Sequence, residues 1–277
     1  MRTDPSEAIS PYGVQLEHTV TQTVGSMPAM HAHPTHELYF LLSGQRRYFV
    51  EHTIYDVAVG DLMLIPRTQF HRAITSGGKN YDRYVLYFYE SDHRGFIDLI
   101  GRPVFEELMQ SGCLQFPPRA ARQLQQDLEQ LERELAKPDA HTRAISAHLL
   151  QDILLTALRS GTRKPPFQGE SADKVQEAAR YISTHYSQPI TLHDAAQMAF
   201  MEETYFSKRF KALTGVGFRE YLTQTRLRAA EQMLLETDLS MSEIAEHCGF
   251  SGGNYFGDVF LRHHGISPSD YRKKIRK

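Results

Sequence analysis

The sequence predicts a multidomain α+β protein: an N-terminal β-barrel or sandwich with appended helices, followed by an all-α domain built from two helix-turn-helix units. Three observations lead there. Short apolar and aromatic runs, broken by glycine and proline, fill residues 1 to about 90. Leucines at helical spacing follow: Leu124, Leu128, Leu131 and Leu135. Near the C-terminus one pattern occurs twice, 50 residues apart: Tyr205-Phe206-x3-Phe210 with Gly215, Tyr221 and Arg226, then Tyr255-Phe256-x3-Phe260 with Gly265, Tyr271 and Arg276.

In order, the strand candidates are Glu37 to Leu42, Arg47 to Val50, Asp61 to Ile65 (stopped by Pro66), and Tyr84 to Tyr89 after the Gly77-Gly78 break. The leucine seam lies on a Gln- and Glu-rich helix that Pro138 ends, and a second apolar helix runs from about Ala144 to Leu158. These helices either cover the barrel or offer the seam as a dimer interface. Arg163-Lys164-Pro165-Pro166 opens a linker. The organisation expected is therefore a barrel over 1–118, a covering or dimerising helical segment over 119–162, a linker over 163–172, and a DNA-binding domain over 173–277. Ser171 or Asp173 is the expected cap of the first helix of that domain.

Composition sets the class. Of 277 residues, 41% are hydrophobic and 23% charged, ordinary for a soluble globular protein. No run reaches the roughly 18 apolar residues that cross a bilayer, and MRTDPSEAISPYG lacks a signal-peptide core. Cys113 and Cys248 imply no disulfide framework. A cytoplasmic protein without membrane partners is expected. Residues 171–277 carry 14 Lys+Arg against 13 Asp+Glu, and the remainder 17 against 20. Net charge thus gives little support for nucleic-acid binding, but Lys208, Arg209 and Lys211 cluster on one helix. Arg272, Lys273, Lys274, Arg276 and Lys277 form a basic tail suited to phosphate.

Each repeat reads as a short alanine-containing helix (Leu192 to Met198, Ser242 to Cys248), a turn and a second helix, giving units at about 192–213 and 242–263. The second unit carries Ile244-Ala245-x3-Gly249-Phe250-x4-Tyr255-Phe256-x3-Phe260-x4-Gly265-x2-Pro268-x2-Tyr271-Arg272. Residues 173–277 thereby resemble the DNA-binding domain of the AraC/XylS transcription regulators. The i, i+4 phenylalanines Phe206, Phe210, Phe256 and Phe260 belong to the core, so base readers are polar and lie off that stripe. They are Thr204, Ser207 and Lys208, with Arg209 and Lys211 nearer the backbone; the resemblance puts base contacts at the first three. In the second unit Asn254, Asp258 and Arg262 are the candidates. Gly252, Gly253 and Gly257 weaken that recognition helix, so the first unit is expected to supply most specificity.

In the β region, Gly25-x5-His31-x-His33-x3-Glu37-x6-Gly44 is followed by Gly60-x5-Pro66-x-Thr68-x2-His71. Both resemble cupin-barrel motifs, with Thr68 standing where that family usually has glycine. His31 and His33 are expected to alternate on one strand and point inward with Glu37, and His71 to join them, while His36 points outward. The set His31, His33, Glu37 and His71 suits Zn, Ni, Fe or Mn, although no cofactor is required and the same histidines also suit hydrogen bonding to an effector. Tyr39, Tyr48 and Tyr87 are further effector candidates; Tyr84 and Tyr89 also invite that reading.

These readings combine into a DNA-binding transcription regulator, an activator by family habit. It is controlled by a small effector, for which the resemblance favours a carbohydrate. It is not an enzyme, and its expected partners are double-stranded DNA, a second copy of the chain and RNA polymerase. Two alternatives stay open: a metal-dependent cupin enzyme with a DNA-binding tail, and an effector-independent regulator whose barrel is a dimer scaffold.

Overall fold

A computed structural model describes residues 10–21, 30–75 and 80–276. Gly25, the Gly77-Gly78 break and Lys277 lie outside the described residues. The chain divides into two compact units, Met1–Gln168 and Gly169–Lys277.

In the first unit the strands are β1 (Val14–Thr21), β2 (His36–Ser43), β3 (Arg46–Val50), β4 (Thr53–Val57), β5 (Leu62–Ile65), β6 (His71–Thr75) and β7 (Tyr81–Phe88). Helices α1 (Arg94–Ile100) and α2 (Arg102–Leu108) follow, then β8 (Gly112–Gln115), α3 (Pro118–Ala136), α4 (Thr142–Ser160) and β9 (Thr162–Arg163). The strands form a six-stranded sheet ordered β1-β7-β2-β5-β8-β9 and a three-stranded sheet ordered β4-β3-β6.

Strand periodicity sorts the side chains. Tyr39 and Leu41 of β2, Tyr81, Val85 and Tyr87 of β7, and Tyr48 and Val50 of β3 share one core between the sheets. Their neighbours Leu38, Phe40, Tyr84, Leu86 and Phe88 face the other way, into a core completed by helices. Tyr84 is therefore not an interior residue: its hydroxyl donates to Glu132 of α3 at 2.7 Å.

The leucine seam is consumed within the chain. Leu124, Leu128 and Leu131 are at most 2% exposed, in one core with Leu149, Leu150, Ile153 and Leu154 of α4 and the strands above. The seam covers the sheet, so the dimer interface weighed for it is not there. Nor does residue 118 separate barrel from helices, because β9 follows α4 and pairs with β8 at the sheet edge. That pairing also shortens the linker. Arg163 donates to the carbonyls of Glu107, Leu108 and Gln110, and the Lys164 ammonium lies 2.6 Å from Asp61. The Phe167 amide donates to Ile54, and its ring lies 3.9 Å beneath the Arg47 guanidinium.

One tie between sheet and helix is pH-sensitive. The two ring nitrogens of His18 on β1 lie 2.8 Å from Asp82 and 2.9 Å from Glu132. Burial lowers its pKa, but the two carboxylates outweigh burial and raise it above the ordinary histidine value. The stabilisation is thus full below about pH 6.5 and is lost as pH rises through the folded-state pKa. We expect His18→Gln to remove a solvent-screened contribution of about 0.5–1 kcal/mol at pH 6 and little at pH 9. Urea unfolding at the two pH values checks this; equal losses at both would refute the tie.

The second unit holds α5 (Glu170–His185), α6 (Leu192–Met198), α7 (Glu203–Thr214), α8 (Phe218–Glu236), α9 (Met241–His247), α10 (Gly253–His264) and α11 (Pro268–Ile275). Helix α5 starts one residue before Ser171, with Gly169 in the cap position and no side-chain cap, so neither Ser171 nor Asp173 fills that role. The true side-chain caps lie further on. Thr191 with Asp194 and Ser240 with Glu243 form reciprocal capping boxes at the starts of α6 and α9.

Candidate DNA-reading surface and barrel site

The duplicated residues do the same structural work in both units. Phe206, Phe210, Phe256 and Phe260 are fully buried. Gly215 and Gly265 end α7 and α10 in the left-handed conformation, at φ 81° and 73°. Tyr221 lies 5.6 Å from the Phe210 ring and Tyr271 5.3 Å from that of Phe260. Arg226 donates to the carbonyls of Tyr186 and Gln188 before α6, and Arg276 to the Thr237 carbonyl and the Asp238 carboxylate before α9. Arg272 likewise donates to the Leu239 carbonyl at 2.6 Å. Two arginines of the basic tail are therefore spent on the fold, which corrects its reading as a phosphate contact; Lys273 and Lys274 remain exposed.

On α7 the outward face carries Thr204, Lys208 and Lys211, all exposed, with Ser207 and Arg209 half-buried beside them. Glu202 accepts from the Tyr205 amide as the helix cap, and Glu203 lies 2.8 Å from His193 of α6 at the exposed edge of the two helices. The second unit presents Asn254, Asp258, Leu261 and Arg262 at its surface. Arg262 Nε donates back to the Asp258 carbonyl at 3.2 Å. The glycines weaken α10 less than the sequence implies. Gly252 sits before the helix, Gly253 is its first residue, and only Gly257 is interior.

Inside the barrel, His31, His33 and His71 each offer a nitrogen, and these atoms lie within 4.8 Å of one another. The route differs from the expected single strand. His31 forms an isolated bridge with His71, and His33 lies in the extended segment before β2. The Glu37 Oε2 atom lies 3.1 Å from His33 Nε2 and 3.3 Å from His71 Nε2, with all three side chains at most 2% exposed. Tyr48 donates to the other Glu37 oxygen at 3.4 Å. Burial pushes the Glu37 pKa up, but His71 and His33 hold it well below the usual carboxylate range. His36 faces away from this cluster, as expected, but it is buried, stacked on Phe88 and 2.9 Å from Glu90.

The tautomers are informative. His33 Nδ1 lies 3.0 Å from the Thr35 carbonyl, and His71 Nδ1 lies 2.9 Å from that of Gln69. A carbonyl only accepts, so both Nδ1 atoms carry hydrogen. Each Nε2 then faces the Glu37 carboxylate as an acceptor unless a proton or a metal ion stands between them. His71 Nε2 makes no hydrogen bond. The donor set and its outer carbonyls fit a divalent transition metal.

Thr68 explains the departure from the cupin pattern. Its backbone is still left-handed, at φ 64°, and its amide donates to the His33 carbonyl at 2.7 Å. A β-branched residue is strained there. Thr68→Gly is expected to raise stability by about 1 kcal/mol, read by thermal unfolding; a drop would mean the threonine makes a compensating contact.

Three interior residues escaped the sequence reading: Arg46, Tyr81 and Arg83. The Arg46 guanidinium lies 4.2 Å from the Tyr81 ring and that of Arg83 5.3 Å from the Tyr39 ring. Their inward phase was the signal available: Arg46 is two residues from Tyr48 on β3, and Arg83 and Tyr81 are four and six residues from Tyr87 on β7.

The two units thus define a ligand-binding barrel joined to a duplicated helix-turn-helix domain. Residues 20–158 match the family described as AraC-like ligand binding domain, and residues 195–274 match a helix-turn-helix domain family. The chain belongs to the AraC family of transcription regulators. It is 36% identical over 104 residues to the regulatory protein PocR of Salmonella typhimurium, covering 38% of this chain and 34% of PocR. To the HTH-type transcriptional activator RhaR of an Enterobacter species it is 27% identical over 262 residues, covering 90% of this chain and 88% of RhaR. The C-terminal domain of AraT, a response regulator from Geobacillus stearothermophilus, is 34% identical over 38% of this chain and 88% of that one, with a TM-score of 0.37. Several alignments span only part of the relative, from 28% of the regulatory protein YesN to 60% of the regulator YisR, both of Bacillus subtilis. Among the described residues no helix is long and apolar enough to cross a membrane.

Proposed function

We propose that the chain is a cytoplasmic, sequence-specific DNA-binding transcription activator. Its barrel binds a small effector, and it acts as a homodimer that engages RNA polymerase. The observation that carries the reading is the duplication: two helix-turn-helix units with matching caps, aromatic cores and arginine ties, each turning a helix face outward. The alignment along most of RhaR, named as an activator, supports activation. The effector works by binding one arrangement of the regulator better than another. The tyrosine-lined interior suits a small polar molecule, with carbohydrate the class the family resemblance favours. A dimer contact on this reading lies outside the leucine seam.

We also propose that His31, His33, Glu37 and His71 hold a divalent transition metal. Bound there, it would supply a Lewis-acid site for an effector oxygen. The Thr35 and Gln69 carbonyls fix the imidazoles of His33 and His71, and Tyr48 orients Glu37. Catalysis has no part in this reading.

Selection of duplexes from a random pool by the full-length protein tests it. The expected product is a motif with two subsites about 10 base pairs apart, one helical turn. Failure to enrich any sequence would sink the regulator assignment. Metal analysis of the purified protein, with and without chelator, decides the metal separately: about one equivalent supports it and none refutes it.

A further inference from the structure

The two helix-turn-helix units repeat their packing residues, but they differ on one flank of the second recognition helix. There an open groove of about 340 Å³ lies between the start of α8 and α10. Arg219, Glu220 and Thr223 line it from α8. Tyr255, Arg262 and His263 line it from α10, together with the buried Val259. Helix geometry sets its place beside the reading face. At about 100° per residue, Arg262 and Tyr255 stand roughly 80–100° around α10 from Asn254, whereas Asp258 and Leu261 stay within roughly 40° of it. The opposite flank is closed, because Gly253 lies against Ser242 of α9, where an added Cβ would stand 3.2 Å from the hydroxyl oxygen. The groove therefore opens beside the exposed line of Asn254, Asp258 and Leu261, toward the helix that directly follows the first recognition helix α7.

Its cations are uncommitted. Arg219 is exposed and makes no hydrogen bond or ion pair among the described residues. Arg262 engages only its Nε, which donates to the Asp258 carbonyl. Burial, then the neighbouring His264 and Arg262, hold the His263 imidazole below the ordinary histidine value, so it is neutral near pH 7. Two guanidinium charges thus face the single carboxylate of Glu220. The first unit has no counterpart: fifty residues earlier, the positions of Arg219, Thr223 and Arg262 hold Gly169, Asp173 and Ala212. The shared fold of the units does not call for these side chains.

A phosphodiester chain fits this arrangement. Its phosphates match the planar fork of arginine, and they flank any helix that lies in the major groove. An open groove also admits a continuous polymer. We infer that a DNA strand crosses the groove between the two subsites, with Arg219 and Arg262 holding its phosphates and the Thr223 hydroxyl donating to it. This rests on the DNA-binding reading above and adds a contact from α8, outside both recognition helices. It gives the second unit a cationic hold that the outward face of α10, with Asp258 and no lysine, lacks.

The test is titration of the full-length protein with the selected duplex and a scrambled one over a series of salt concentrations. Arg219→Ala, at an exposed helix position where alanine keeps the fold, should weaken binding to both by about 5- to 20-fold. It should lower the slope of log K against log salt by about 1 and leave the ratio of the two affinities unchanged. Arg219→Ala combined with Arg262→Ala should lower the slope by about 2. Duplexes carrying single neutral methylphosphonates between the subsites locate the contact: at the phosphate that Arg219 holds, the loss seen with wild type should vanish in Arg219→Ala. A merely structural effect would leave the losses at every phosphate unchanged. If Arg219→Ala keeps the wild-type affinity and slope, or weakens binding with no change of slope and no matching phosphate, the groove does not hold DNA and the regulator reading stands. If the wild type binds neither duplex, the inference and the DNA-binding reading fall together.

Discussion

Gly249→Ala is expected to destabilise the helical unit by about 3 kcal/mol or more, seen as a drop of at least about 12 °C in the unfolding of that unit within the full chain. Two terms add. Gly249 ends α9 at φ 75°, and an added Cβ would stand 2.6 Å from the Ser187 carbonyl oxygen and 2.9 Å from Ser187 Cα. The first unit supplies the control. Phe200 follows α6 in the same left-handed conformation, at φ 51°, yet it is 86% exposed. The hydrogen bonds around it match: Phe200 donates to Gln197 and Met201 to Ala196, as Gly249 donates to Glu246 and Phe250 to Ala245. A left-handed residue with a side chain is therefore tolerated where the Cβ meets solvent, at about 1–2 kcal/mol. At Gly249 it meets backbone that joins the second unit to the loop before α6. Phe200→Gly should accordingly stabilise by about 1 kcal/mol. A loss at Gly249 no larger than the gain at Phe200 would show that the contact with Ser187 gives way freely.

That comparison also marks what the sequence could disclose. The duplicated phenylalanines, glycines, tyrosines and arginines were legible because each repeat solves one packing problem with the same side chains. The histidine cluster was legible because its spacing survives, although His31 and His33 reach it from an extended segment and a bridge rather than one regular strand. Other features were hidden for physical reasons. β1 is an edge strand in which Val14, Leu16 and His18 alternate with polar residues. β8 and β9 are four and two residues long; β8 pairs with β5, and β9 pairs only with β8 at the sheet edge. The fate of the leucine seam was undecidable because a covering helix and a coiled-coil helix bury the same stripe; only α4 and the sheet settle it. Arg46 and Arg83 look like ordinary surface charges until the strand register turns them inward.

Lys208→Ala is expected to weaken operator binding by about 10- to 100-fold and to relax discrimination at one base pair, as loss of a lysine contact to guanine would. The argument lies in what the two outward faces offer. On α7, Thr204, Ser207, Lys208 and Lys211 combine two cations with two hydroxyls. The equivalent α10 positions, 50 residues on, are Asn254, Gly257, Asp258 and Leu261, which bring no cation and one carboxylate. Against a duplex with one negative charge per roughly 1.7 Å, that face gains nothing from counterion release and Asp258 opposes approach. Arg262 offsets this only in part, since its Nε already bonds the Asp258 carbonyl. Asn254→Ala should therefore cost less discrimination than Lys208→Ala. Asp258→Ala should tighten binding to all sequences alike, and Lys211→Ala should lower the salt slope by about 1 without altering sequence preference. Titrations of the four variants against the selected duplex and a scrambled one, at two salt concentrations, separate these effects. A larger loss of discrimination at Asn254 than at Lys208 would reverse the assignment and make the second unit the principal reader.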